Sequence, residues 1–436
     1  MSRLRRLLLA ALLSQTAVFF YVVGHHFGEI LRYSSTVRGP WTLALAGDLA
    51  LIAALAVSSK LWAEPGAGNF AASALAHIAA LVLFHYLIAI SSGRLYKPLT
   101  AVFLAFSMST GALRRFRRPA GSLSSRAAMP PFGAWDAASV LVLATLIVPL
   151  VFPYIYMDTQ YIWACRALAL EQMPVLSAMA HCTQAGALSV GPTYPPGWSI
   201  LLWLGIGDPI FQGRLLAWSL LPIFALFFRE RLSRLEPSLA PAALFFFLVT
   251  GQVWSGAATW YADVPLMIFL SAGSLLVLGM PQSPDGGPAS RGEVAAGGLC
   301  LCAAVLLRPD GWYYMAVPAA AAAWFRIRRR TKFPLWPFAA AALVFATWVL
   351  LRPAALDVVS QYFHPNAAWL GAGSTPASAL EKVFLIFLYG WQGQWLFHWR
   401  TGILFWLLAG ILIWRRRGTV QGEDTRFFGL ISAGFL

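Results

Sequence analysis

Charge is what this 436-residue chain lacks: 11% of its residues are charged and 17 are acidic, whereas about a quarter of a soluble domain carries charge. Apolar residues make up 59%. A soluble enzyme is not expected on that composition, because so much apolar side chain cannot be kept from water in domains of ordinary size. Cysteine is scarce too, with four in the chain. Cys300 and Cys302, two apart in an apolar stretch, point to different helix faces and read as small packing residues. Also lacking are an evident internal repeat and a small-residue cleavage site after the first apolar run. Leu7–Gly24 is therefore expected to be a retained first span rather than a secretory signal.

What the chain does have is apolar runs punctuated by basic clusters. Its 32 Lys and Arg against 17 Asp and Glu give +15, a balance that in a soluble protein suggests nucleic acid. Here the basic residues gather at Arg3-Arg5-Arg6, Arg114-Arg115-Arg117-Arg118-Arg126, Arg229-Arg231-Arg234, Arg326-Arg328-Arg329-Arg330-Lys332 and Arg415-Arg416-Arg417. As cytoplasmic loop determinants, they require an even number of crossings between neighbouring clusters, and no nucleic-acid partner is expected. Specific binding of anionic headgroups is the alternative reading of these clusters.

The apolar runs satisfy that count. Leu7–Gly24, Trp41–Ser58, Phe70–Ile90 and Pro98–Leu113 separate the first two clusters, and Ala137–Tyr156 and Phe211–Phe228 the next two. Leu239–Trp254, Ala262–Leu278, Val294–Leu307 and Trp312–Phe325 follow, with the turn Pro281–Arg291 on the cytoplasmic side. Phe338–Leu351 and Ile403–Trp414 complete the set, Val383–Phe397 being interfacial, re-entrant or a pair of short hairpin helices. The expected fold class is thus all-α, a polytopic transmembrane helical bundle of about 12 spans, with outward juxtamembrane helices in the loop after the fifth span. Residues 1–113 are expected to form a four-span N-terminal module, 114–135 an Arg/Ser/Gly/Pro-rich cytoplasmic linker, and 136–436 a transmembrane core. Phe427–Leu436 is too short to cross, so the chain either ends at an interface or belongs to a longer protein.

Ionisable groups at membrane depth are costly unless they function, which directs attention to the long outward loop Met157–Gly207. It opens with Tyr156-Met157-Asp158-Thr159-Gln160-Tyr161, continues as a helix-like stretch through Ala164, Arg166, Ala167 and Leu168, and later contains Thr193-Tyr194-Pro195-Pro196-Gly197-Trp198. An Asp at the mouth of a span, followed by a short amphipathic helix, suits a base at the water–lipid boundary; a solvated helix N-cap is the alternative. Cys165 and Cys182 share this loop, and a disulfide between them is open if the compartment is oxidising.

This order of residues resembles the first outward loop of the GT-C class of integral-membrane glycosyltransferases, the group that includes aminoarabinose transferases and protein O-mannosyltransferases. The carriers are Asp158 outside a span, Tyr161 three residues on, the Tyr-Pro-Pro-Gly segment from Tyr194, and Arg214 opening the next span. Trp260-Tyr261-Ala262-Asp263-Val264-Pro265-Leu266, Arg308-Pro309-Asp310-Gly311 and the positive-inside alternation fit the same resemblance, which covers about Ala137 to Phe325. Three departures stand out. Thr159 occupies the place of a second acidic residue, Tyr194 that of a phosphate-contacting Lys in aminoarabinose transferases, and the four spans before the linker are extra.

The resemblance implies transfer of a sugar, hexose or mannose-like, from a polyprenyl-phosphate donor to a lipid, glycan or protein acceptor at the outer membrane face, with inversion at the anomeric carbon. Asp158 is then the catalytic base, and Arg308 and Arg214 bind the donor phosphate. Tyr161, Arg166, Tyr194, Asp263 and Asp310 are the substrate-binding candidates, Arg166 also being a partner for Asp158 or Glu171. Asp263 and Asp310 share the side of Asp158; holding a divalent cation is one option and helix capping or salt bridging the other. His181 and His364 show no metal-ligand spacing, and no firm metal site is expected.

Aromatic residues crowd the outer ends, among them Trp254, Trp260, Tyr261, Trp312, Tyr313, Tyr314 and the stripe Trp391, Trp395, Trp399 beside Gln392, Gln394 and His398. They read as a membrane-interface belt or as sugar platforms. The rival function is a transporter or flippase of lipid-linked sugars, which expects ionisable groups near the midplane, where Asp48 falls. A non-catalytic scaffold is the third reading. The Ala/Arg-rich composition hints at a bacterial inner membrane with the active side in the periplasm.

Overall fold

A computed structural model describes residues 24, 41–63, 67–116, 131–146, 163–184, 194–204, 209–235, 237–238, 240–249, 251–258, 262–278, 290–308, 311–329 and 334–352. Among these residues every regular element is a helix. The helices are α1 (Trp41–Trp62), α2 (Ala67–Ser92), α3 (Pro98–Phe116), α4 (Ala134–Thr145), α5 (Cys165–Gln172), α6 (Val175–Gln184) and α7 (Gly197–Trp203). They continue with α8 (Pro209–Leu235), α9 (Ala240–Leu248), α10 (Gly251–Ala258), α11 (Asp263–Leu278), α12 (Arg291–Leu307), α13 (Gly311–Arg329) and α14 (Trp336–Leu351). The all-α expectation is met, and the described part of the segment Met157–Gly207 carries three short helices, α5 to α7. The expected stretches Leu7–Gly24, Val383–Phe397 and Ile403–Trp414 lie outside the described residues, apart from Gly24.

One described helix, Asn69–Ser92, is long and apolar enough to cross a membrane; its 24 residues extend about 36 Å at the α-helical rise, against a hydrocarbon core of about 30 Å. Ala134–Thr145, Asp263–Val277 and Trp336–Leu351 are apolar but shorter. The expected span Leu239–Trp254 is two helices, α9 and α10, the second opening at Gly251. The helical class is thus established by the structure, while the count of about twelve crossings rests on the charge pattern.

The core is organised around α12. From Cys300 to Leu307 its side chains are all buried, so the helix needs neighbours on every side. It packs most extensively against α11, then α14 and α2, and also against α13 and α7. Small residues permit the closest approach. A Cβ built at Gly297 would lie 2.8 Å from the Gly273 carbonyl oxygen of α11, so at this crossing the two backbones touch. The helices before the linker share this core, because α2 packs against α8, α12 and α7. Tyr86 of α2 also hydrogen-bonds Thr347 of α14 at 2.8 Å.

Buried polar groups cross-link the helices. Ser58 and Ser107 hydroxyls meet at 2.7 Å, His77 Nε2 lies 3.0 Å from Ser107 Oγ, and Trp62 Nε1 donates to the Ser107 carbonyl at 2.9 Å, tying α1, α2 and α3. At the end of the bundle where the basic clusters fall, Arg229 of α8 forms a two-pronged pair with Asp136 of α4, Nε to Oδ1 at 2.5 Å and Nη2 to Oδ2 at 2.9 Å. Arg231 donates to Glu293 at 2.6 Å, and Glu293 completes the N-terminal cap of α12 with Ser290. Arg115 bonds the Lys60 and Leu61 carbonyls.

Both members of the Asp136–Arg229 pair are buried, so removing one strands a charge and costs about 3–5 kcal/mol, whereas apolar replacement of both is often neutral. Asp136→Leu or Arg229→Met alone is expected to lower the thermal midpoint in detergent clearly, and the double substitution to recover most of it. Equal loss in single and double variants would show that the pair does not act as a unit.

Candidate functional site

The opposite end of the bundle holds Arg166, Tyr194, Asp263 and Arg308, the described ones among the polar residues singled out in the sequence. Gly93, with φ of +75°, closes α2 in the left-handed conformation that glycine adopts without strain. Its carbonyl accepts the Val175 N–H at 2.9 Å, and Lys97 forms an ion pair with Glu171 of α5. These two contacts dock the loop helices on the end of α2. Glu171 is thereby engaged, and the expected Arg166–Glu171 pair is not what the structure contains.

Further along the loop, Pro196 and Gly197 bring the chain against the end of α12. A Cβ at Gly197 would lie 2.5 Å from the Leu306 carbonyl oxygen, so a side chain there would separate the two segments. Arg308 follows Leu306 by two residues and forms an ion pair with Asp263 at the start of α11. Tyr194, three residues before Gly197, packs edge-on against Trp163 with ring centroids 5.3 Å apart. The Tyr-Pro-Pro-Gly segment, Arg308 and Asp263, far apart in sequence, thus converge.

Arg166 projects from α5 into the interior and is fully buried. Its Nη2 donates to the Met179 carbonyl at 3.4 Å, and Nε and Nη1 have no hydrogen-bond partner among the described residues. Burial pulls this guanidinium down to about 9, with Tyr194 opposing and Arg352 adding to the fall; it remains a cation at neutral pH. Arg352, the residue after α14, donates from Nη2 to the Leu176 carbonyl of α6 at 2.5 Å. Sequence reasoning missed Arg352 and Lys97. For Arg352 a signal existed, since it follows an outer helix end just as Arg308 does.

Asp158, Tyr161 and Asp310 lie outside the described residues. Arg214 sits in the second turn of α8, with its side chain outside the described positions. Among the described residues no three His, Cys, Asp or Glu side chains are grouped to hold a metal ion, and Asp263 is occupied by Arg308. Cys165 is disulfide-bonded and Cys300 and Cys302 are free and buried. That leaves Cys182, whose side chain lies outside the described positions, as the remaining cysteine of the four in the chain.

Trp254, expected in the interface belt, is instead a core residue, because its indole N–H finds Thr145 Oγ1 at 2.8 Å. Trp312 stacks on Phe345. Trp260, Tyr261, His364 and the segment with Trp391, Gln392, Gln394, Trp395, His398 and Trp399 lie outside the described residues, as do the side chains of His181 and Tyr313.

Comparison with known proteins finds no match: no family, no characterised protein and no solved structure matches this chain.

The contact at Gly197 generates a direct test. Gly197→Val is expected to force α7 and the Tyr-Pro-Pro segment away from α12 and to lower the thermal midpoint by the equivalent of about 1–3 kcal/mol, the usual cost of overpacking. An unchanged midpoint would place the two backbones apart.

Proposed function

We propose that the chain is a polytopic membrane glycosyltransferase that moves a hexose or mannose-like sugar from a polyprenyl-phosphate donor to an acceptor on the outer face of a bacterial inner membrane, inverting the anomeric carbon. The observation that carries this reading is the convergence of the Tyr194–Gly197 segment, Asp263 and Arg308 at one bundle end, while Arg115, Arg229 and Arg231 of the basic clusters make their contacts at the other. Polar groups at an end rather than mid-helix suit chemistry at the water–lipid boundary. The disulfide at Cys165 fits an oxidising compartment on that side.

In the proposed reaction Asp158 takes the proton of the acceptor hydroxyl. The hydroxyl oxygen bonds to the anomeric carbon as the bond from that carbon to the phosphate oxygen breaks, and the polyprenyl phosphate leaves with the electron pair. Phosphate is a competent leaving group, so the need is for fixed cations rather than a strong acid. Arg308, held by Asp263, has donor groups in a set orientation, and Arg214 opens the helix that follows the loop. The transporter reading draws on Asp48, buried in the middle of α1, since a carboxylate at that depth is what a translocation path uses.

Membranes with matched amounts of wild type and Asp158→Asn, given a panel of polyprenyl-phosphate sugars labelled in the sugar, are expected to show transfer in the wild type and a loss of about a hundredfold or more in the variant. Full activity in Asp158→Asn would remove the base. Sidedness has its own test. A cysteine at Ser124 is expected to react with a membrane-impermeant maleimide only in opened cells, and one at Gly191 in intact spheroplasts; the reverse pattern would invert the topology.

A further inference from the structure

A fully buried guanidinium normally faces a carboxylate, because an uncompensated charge in a low-dielectric interior is costly. Arg166 does not follow this pattern. Two of its three nitrogens have no hydrogen-bond partner among the described residues, the third makes one long bond to the Met179 carbonyl, and Glu171 of the same helix is engaged by Lys97. Among the described residues the groups that act on it are Tyr194 and a second cation, Arg352, whose own Nε also lacks a partner among the described residues.

Two guanidinium groups held near each other by main-chain carbonyls, from Met179 and Leu176, repel unless an anion lies between them. Planar forks of N–H donors suit the oxygens of a tetrahedral oxyanion. The surroundings add a second requirement. Leu350 and Leu351, directly before Arg352, are 81% and 38% exposed, and Leu168 and Leu176 on α5 and α6 are 36% and 38% exposed. Such apolar surface beside a buried cation fits a ligand with a charged head and an apolar tail.

We propose that Arg166 and Arg352 together bind the phosphate head of a lipid whose apolar tail lies along the exposed leucines of α5, α6 and α14. The inference deepens the glycosyl-transfer reading and rests on it for the phosphate's role as the donor's leaving group; the binding itself is measurable without turnover. On this assignment Arg166 and Arg352 join Arg308, oriented by Asp263, as cations available to the phosphate.

The test is equilibrium binding of radiolabelled polyprenyl monophosphate to the purified full chain in detergent, with inorganic phosphate and uncharged polyprenol as competitors. Arg166→Gln and Arg352→Gln are each expected to weaken binding about tenfold or more, as loss of charge-assisted hydrogen bonds does. Arg115→Gln at the other end is expected to leave it unchanged, and polyprenol to compete poorly. Arg352 is only partly buried, so Arg352→Gln keeps the test alive should Arg166→Gln fail to give a monodisperse, folded chain. Unchanged binding in both variants, or equal competition by polyprenol, overturns the proposal. Equal competition by inorganic phosphate overturns its lipid half and leaves a site for free phosphate. If binding behaves as expected but no sugar is transferred from any donor, the glycosyl-transfer reading fails and the anion site stands; transfer with unaltered binding in the variants does the converse.

Discussion

The burial of the second half of α12 on all sides is the constraint from which the rest of the arrangement follows. Its last two turns, Cys300 to Leu307, present apolar or small side chains in every direction. Such a helix has no face to give to water and must be enclosed by others. Glycines set how closely they come. Gly273 against Gly297 brings α11 into backbone contact, and Gly197 against Leu306 brings in the loop segment. Once α12 is enclosed, the residue that ends it, Arg308, emerges among the start of α11 and the Tyr-Pro-Pro-Gly turn.

Charge is then sorted by the same packing. Between α1, α2 and α3, the side chains of Ser58, Ser107, His77 and Trp62 form a matched, uncharged cluster. At one end, buried cations meet carboxylates in complementary pairs, Arg229 with Asp136 and Arg231 with Glu293. At the other, among the described residues, Lys97 and Arg308 are paired with carboxylates, whereas Arg166 and Arg352 bond main-chain carbonyls and lie within each other's field. A paired end resists deformation, whereas a buried guanidinium with donors left over is suited to an anion. This asymmetry gives a physical basis for placing chemistry at the loop end.

Preorganisation here depends on the loop helices being fixed. Gly93 and Lys97 at the end of α2 anchor α5 and α6, and Arg352 reaches from α14 to the carbonyl of Leu176. Arg166 is therefore held from both sides, by the N-terminal helices and by the last described one. The helices before the linker, which looked like an addition to the resemblance, supply part of the floor on which the site is built.

Much of the helical layout was legible in the sequence because apolar runs and basic clusters are local signals. Nine expected stretches, from Trp41–Ser58 to Phe338–Leu351, each coincide with a single helix or with its described part, and the break between α9 and α10 was missed because a helix interruption in an apolar run changes composition little. The loop helix bearing Arg166 and the position of Asp263 and Arg308 at facing helix ends were also readable, since both follow from counting crossings. Which cation meets which carboxylate was not. Glu171 pairs with Lys97 rather than Arg166, and Trp254 is a core residue rather than part of a belt, because partners distant in sequence are selected by packing. The sequence by itself determined the helical class and the residues stationed at helix ends, through composition and periodicity. Only the tertiary structure decided that Asp263 holds Arg308 while Arg166 and Arg352 are left together, because electrostatic pairing depends on distances of a few ångströms between segments that no local pattern connects.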